Sequence, residues 1–220
     1  MFKHITFFLL LILSTYGFSQ NHTDEQGLKQ GKWSKNHSNG NLRYEGQFTD
    51  NKEIGEFNFY DKHGKIVSKR NYETPGGLAL CKMYNMFGYL HAQGKMDGRK
   101  KEGEWIFYSK NGQDTVTVEN YKGGILEGHH VTYFSNRQIA SEVHFENGKK
   151  VGKYTEYYKN GQIEQTGVYV KGELDGEVIY KYNTGKVKRK GSFKNGDKIG
   201  KWIDYTPDGN IKEIIDYSKK

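Results

Sequence analysis

Three histidines, His129, His130 and His144, fall close together, and imidazoles so grouped raise the question of a bound metal ion. Ligands must converge on an ion. Adjacent side chains on an extended strand point to opposite faces, so His129 and His130 do not readily share one. No cysteine or carboxylate stands at ligand spacing, and the expectation is no metal site. Carboxylates pose a second question. Asp24-Glu25 form a pair, and Glu104, Glu127 and Glu177 recur singly. Glycoside hydrolysis needs two carboxyl groups facing each other across a cleft, whereas single acids at regular intervals suit pairing with nearby lysines. No serine occupies a nucleophile elbow, and no glycine-rich phosphate loop precedes a helix. The sequence is therefore expected to carry no catalytic, cofactor-binding or metal-binding residues.

One more group invites a role. Met83, Met86 and Met96 lie near Cys81 and Phe87 and are all the methionines apart from Met1. Methionine repacks against varied partners, which makes Met83, Met86 and Phe87 candidate contact residues. The alternative is a drifted segment whose apolar side chains fill the fold.

The elements that would position these residues follow from a period of 24. Glycines at Gly31, Gly55, Gly103, Gly128, Gly152, Gly176 and Gly200 each open a copy, and Ala79 stands in register where the third opening is missing. Eight copies so spaced define a repeat architecture. Within the copy from Gly152 to Asp175, two runs rich in Tyr, Val, Thr and Ile end in Asn160-Gly161 and Lys171-Gly172, the pattern of a β-hairpin and its connection. Hairpin glycines recur at Gly40, Gly64, Gly88, Gly112, Gly161, Gly185 and Gly209, with Arg137 in the fifth copy. The fourth copy holds one extra residue before its second turn.

Side chains keep the same beat. The third place of a copy holds Trp33, Phe57, Trp105, Tyr154 and Trp202; His130 sits there in the fifth copy and is expected to pack as a ring. The sixth place holds Tyr60, Tyr84, Tyr108, Tyr133, Tyr157 and Tyr205. Gly46, Gly94, Gly167 and Gly191 share another place, where a glycine leaves room for a ring to lie on the backbone. Sixteen strands at roughly 4.8 Å each would make a ribbon of about 75 Å, whose two edges need protection.

Composition agrees. The chain has 220 residues, 34% hydrophobic but 15% aromatic, and suits a thin sheet covered by rings. Met1 to His4 is a short basic start, Ile5 to Leu13 is apolar apart from Thr6, and small residues precede Gln20, which reads as an export signal cut after Ser19. The apolar run is shorter than the about 20 residues a membrane span needs. Cys81 is the only cysteine, so no intrachain disulfide is available. Loss of Lys3 with the signal takes the net charge from +8 to +7, spread along the chain as a solvated face with no block of the kind that binds nucleic acid. The expected organisation is a signal at 1–19, a polar lead at 20–30, repeats at 31–217 with the third copy degenerate, and a basic tail at 218–220.

The pattern Gly152-Lys153-Tyr154, Tyr157, Asn160-Gly161, Ile163, Tyr169, Lys171-Gly172 returns as Gly200-Lys201-Trp202, Tyr205, Asp208-Gly209, Ile211, Tyr217. It resembles the MORN repeat superfamily, and more closely the bacterial variant found in YwqK-family toxin–antitoxin antitoxins. The resemblance implies an all-β fold, eight hairpin repeats forming one long twisted antiparallel sheet or an open solenoid. It implies interaction with proteins or membrane surfaces and brings no catalytic residues. The expected function is a non-catalytic, exported module or scaffold that binds an unidentified protein in the periplasm, at the cell surface or outside, with an antitoxin- or immunity-like role as one form of it. The alternative is binding of envelope glycan or anionic lipid by the aromatic, basic surface.

Overall fold

The computed structural model describes residues 20–219. The expected export signal at 1–19 and the last residue of the expected basic tail lie outside the described residues.

Among the described residues the chain forms sixteen strands of six to nine residues and three of two residues. They make a single antiparallel sheet in which sequence neighbours are space neighbours. Lys29–Asn36 pairs with Leu42–Thr49, which pairs with Lys52–Tyr60, and so on to Asp197–Tyr205 with Ile211–Asp216. Sixteen long strands are eight hairpins, so the fold is the open, all-β repeat sheet that the period of 24 predicts. The third copy does not interrupt it. Ala79–Tyr84 pairs in register with Ile66–Tyr72 on one side and Leu90–Asp97 on the other.

The opening glycines have a local cause. Each lies at positive φ, from 60° at Gly200 to 105° at Gly176, and the ladder shifts register beside it, as between Glu45 and Gln47 opposite Gly55. An extra residue in the left-handed region is a β-bulge, where a Cβ is disfavoured. The ladder between Ile66–Tyr72 and Ala79–Tyr84 runs without a shift. That is why alanine serves there: no bulge, no need for positive φ.

The extra residue of the fourth copy, expected before its second turn, sits in the first turn: Ser109 N–H donates to Asp114 O, whereas the equivalent bond elsewhere spans one residue fewer, as in Tyr158 to Gln162. The polar lead contributes structure of its own. His22–Thr23 pairs with the first long strand, Asn21 Oδ1 accepts from Ser34 N–H, and the Trp33 indole N–H donates to His22 O. The lead thus covers part of one sheet edge.

The core is one face of this sheet. Phe48, Phe57, Tyr72, Ala79, Cys81, Ala92, Met96 and Trp105 form a contiguous buried cluster. Val143, Tyr154, Val178 and Trp202 continue the buried face toward the C-terminus. Rings meet edge to face along it, Phe48 on Phe57 at 5.2 Å and Phe193 on Trp202 at 5.1 Å between centroids. Lysines close the top: Lys101 Nζ stands 5.0 Å from Trp105, 4.4 Å from Phe107 and 4.6 Å from Tyr121. Such a cation over a ring is held by the ring quadrupole and lays its apolar stem on the aromatic surface. A single sheet therefore buries its third-place rings without a second layer.

Candidate binding face

Because one face covers itself, the opposite face is left for other work. Its middle row alternates between hairpin strands, from Ser34 and Glu45 through Lys69, Lys82 and Gln93 to Ile179 and Ile203, by the ladder registers. A cavity of about 890 Å³ opens on it, lined from Glu56 at one end to Glu104 and Ile106 at the other. Those residues belong to five consecutive strands. One cavity shared by five strands of an unlayered sheet means that this face is concave there.

The sixth-place tyrosines line the same face. Tyr60, Tyr84, Tyr108, Tyr133 and Tyr157 come from five consecutive copies, and all are half-buried. One long strand lies between each and the next, so they stand two strand spacings apart, about 10 Å. Their hydroxyls follow a rule of their own. Tyr60 donates to Glu45 at 2.6 Å and Tyr157 to Glu142 at 3.0 Å, while Gln93 Nε2 donates to Tyr108 Oη at 2.6 Å. Each bond reaches back into the second strand of the preceding copy, so it staples adjacent repeats. Tyr84, Tyr133 and Tyr205 make no side-chain hydrogen bond among the described residues. The bond to Glu45, with burial and the charges of Glu45 and Glu56, pushes the Tyr60 phenol up to about 12. Burial, then Glu142, raises that of Tyr157.

The candidate contact residues are divided by the fold. Met86 and Phe87 sit on the turn after Tyr84 and are 72% and 69% exposed, with Tyr89 beside them at 51%. Met83 instead packs against the buried cluster, and Cys81 and Met96 lie inside it. The third-copy methionines are therefore not one surface patch, because residues two apart on a strand share the ring face.

The histidines separate as strand geometry requires. His129 meets His144 edge to face at 5.0 Å between centroids, and His130 packs on Phe145 at 5.4 Å on the other face. No carboxylate stands at ligand spacing from them in sequence, and the fold brings in one, Glu119, whose Oε1 lies 3.4 Å from His130 Nε2. Glu119 comes from the preceding copy, so only the ladder register brings it close. No group of three or more His, Cys, Asp or Glu residues suited to a metal occurs among the described residues.

What the sequence reading missed is the convergence of Lys69, Lys82 and Lys95 on the cavity. Each is 13 residues from the next, a spacing that the period of 24 hides. The signal lay in the departures from the repeat: Lys82 stands where neighbouring copies have Asn58 and Ile106, and Lys95 where they have Asn71 and Asn120.

With fold and face described, comparison with known proteins gives the class. The chain belongs to the MORN repeat variant family, which matches residues 29–50, 53–74, 150–171, 174–195 and 198–219, half of the chain. The middle copies fall between the matches, and these are the copies without a bulge, with an extra turn residue, and with Arg137 for glycine. Nothing matches among the curated proteins. Among solved structures the chain is similar to a mutant of S. aureus TarM in complex with fondaparinux, alpha-GlcNAc-glycerol and UDP. That likeness is 15% identical with a TM-score of 0.33, and covers 50% of this chain and 21% of the other. The chain thus spans about a fifth of that protein. Among the described residues no helix is long and apolar enough to cross a membrane.

Proposed function

We propose that this repeat protein is a non-catalytic, exported interaction module that holds a protein partner on its concave face. The observation that carries the reading is the row of half-buried tyrosines from Tyr60 to Tyr157 on the face left free by the core. Tyrosine supplies large, rigid area with a polar tip, and aromatic side chains are enriched at protein interfaces. Export rests on the basic start and on the apolar run Ile5 to Leu13 followed by small residues. The partner would then lie in the periplasm, at the surface or outside. An antitoxin- or immunity-like role, as resemblance to the YwqK-family variant implies, would require its target in that same compartment. The test is capture from solubilised envelope with residues 20–220 as bait. A single dominant protein supports the module, and no protein above background removes it.

A second reading has its own observation. Tyrosines about 10 Å apart also suit stacking on sugar rings, and the basic balance suits anionic lipid. Binding to purified wall or anionic vesicles, with no protein captured, would favour it. Lipid binding would weaken steeply with salt and stacking on sugars would not.

A further inference from the structure

Lys69 stands directly across the ladder from Lys82. Like charges in that position repel, and nothing on the groove face neutralises them well. Lys69 Nζ lies 3.7 Å from Glu56, with both side chains well exposed at 39% and 58%. Lys82 and Lys95 are exposed, and their ammonium groups make no hydrogen bond or ion pair among the described residues. Lysines on the other face behave differently. Lys29, Lys101, Lys150 and Lys198 each lie over a ring. Two further donors line the same cavity without a partner, the Tyr84 hydroxyl and the Asn71 amide. Three ammonium groups and two neutral donors converge in a concave site whose carboxylates, Glu56 and Glu104, stand at its two ends, while Glu102 lies across the ladder from Lys95.

Acids bound this patch. Glu56 and Glu104 line the cavity from strands Lys52–Tyr60 and Lys100–Tyr108, with three strands between them. Four strand spacings are about 19 Å, the length of about six extended residues. A long uniform polyanion laid across the groove would meet a glutamate at each end. A ligand whose negative charge is confined to its middle would not.

We propose that this groove seats a short acidic segment of a protein partner, with two or three carboxylates in about six extended residues. Lys69, Lys82 and Lys95 supply charge-assisted hydrogen bonds to the carboxylates, and Tyr84 and Asn71 donate beside them. The site centres on the third copy, where the repeat departs from its pattern at Lys82 and Lys95, and takes Lys69 and Asn71 from the second. The repulsion between Lys69 and Lys82 is a stability cost that the bound acid relieves, as expected where function and stability compete. This inference rests on the reading of the chain as a protein-interaction module.

The test uses residues 20–220 and a fluorescein-labelled hexapeptide, Ser-Asp-Glu-Asp-Ser-Gly, followed by fluorescence anisotropy at low salt. The expected result is saturable binding, at least tenfold tighter than that of the amide peptide Ser-Asn-Gln-Asn-Ser-Gly. Lys69→Gln with Lys82→Gln weakens it at least tenfold, and the double variant melts at the same temperature or higher because a like-charge pair is gone. Absence of saturable binding, or equal binding by the double variant, overturns the proposal. So does inorganic polyphosphate that binds more tightly than the peptide with the same lysine dependence. Envelope capture separates the two levels. A partner retained equally by the double variant overturns the groove and leaves the module standing; capture of nothing by the wild-type chain removes the module itself.

Discussion

Gly94 lies beneath the indole of Trp105: a methyl group added at Gly94 would stand 2.6 Å from Cδ1, Cδ2 and Cε2 of that ring. The same fit recurs along the ring face. A Cβ on Gly46 would meet the Phe57 ring at 2.5 Å. At two places where the next third-place residue is not a large ring the glycine is absent: Arg70 faces Cys81 across the ladder, and Glu119 reaches His130. Gly167, which precedes Val178, lies instead against the Tyr154 ring of its own copy, where a Cβ would stand 2.5 Å from Cε1. The glycines and the rings are thus one feature. Trp105 is fully buried, and inserting a methyl beneath it forces ring or backbone to move, at about 1–3 kcal/mol.

Gly94→Ala should therefore destabilise the protein by about 2–3 kcal/mol in denaturant titration. In a Trp105→Val background the same alanine should cost under about 1 kcal/mol, because the two residues are in contact and their effects do not add. Equal cost in both backgrounds would show that the ring does not require the glycine.

Arg137 occupies the hairpin position that glycine fills in the other copies, and it keeps the glycine conformation, with φ at 67°. Its ion pair with Asp114 at 3.3 Å is surface-exposed on the arginine side, at 77%, and such pairs contribute little. Removing a Cβ from the left-handed region outweighs that loss. Arg137→Gly is expected to raise stability by about 0.5–1 kcal/mol, measured as the shift of the denaturant midpoint at unchanged slope.

Two ionisable contacts set the pH limits at opposite ends. Tyr60 has a folded pKa of about 12 against 10.0 for the ordinary phenol, chiefly through its bond to Glu45. A raised value means that its contribution is complete below pH 10 and is lost as pH rises toward 12. The tyrosinate absorbance of Tyr60→Phe should accordingly lose one phenol's worth of the component that titrates near pH 12. Asp204 is held below the ordinary 3.8 by the Arg189 guanidinium. A lowered value means the reverse: its contribution is complete above the ordinary carboxylate range and is lost as pH falls through the folded value. Asp204→Asn should flatten the acid limb of a melting-temperature profile and leave the alkaline limb unchanged.

The period of 24, its turns and the third-place rings were legible because each copy repeats the same local physics, glycine for positive φ and aromatics for a pleated, half-buried surface. The missing glycine at Ala79 looked like a defect, yet it marks the one ladder that needs no bulge. Which face is free was not legible, since Trp105 and Tyr108 lie three apart in one strand and both are aromatic. Burial separates them only once Gly94 is known to lie under one and not the other. The lysine groove was hidden for a related reason. Lys69, Lys82 and Lys95 meet through hairpin register, and a list of repeat positions does not contain register. Met83 and Met86 read as one patch in sequence, but the hairpin turns one inward and leaves the other in solvent.

The most direct test of the central claim is envelope capture with three baits spanning residues 20–220: the wild-type chain, a groove-face variant carrying Tyr84→Ser and Tyr133→Ser, and a turn variant carrying Met86→Ser and Phe87→Ser. Neither altered pair makes a side-chain hydrogen bond among the described residues; the groove-face variant gives up two half-buried rings and should melt somewhat lower, so capture is run well below the melting temperature of all three. The account predicts one dominant protein retained by the wild type and the turn variant and lost from the groove-face variant. Retention of that protein by the groove-face variant, or capture of none by the wild type, would contradict it.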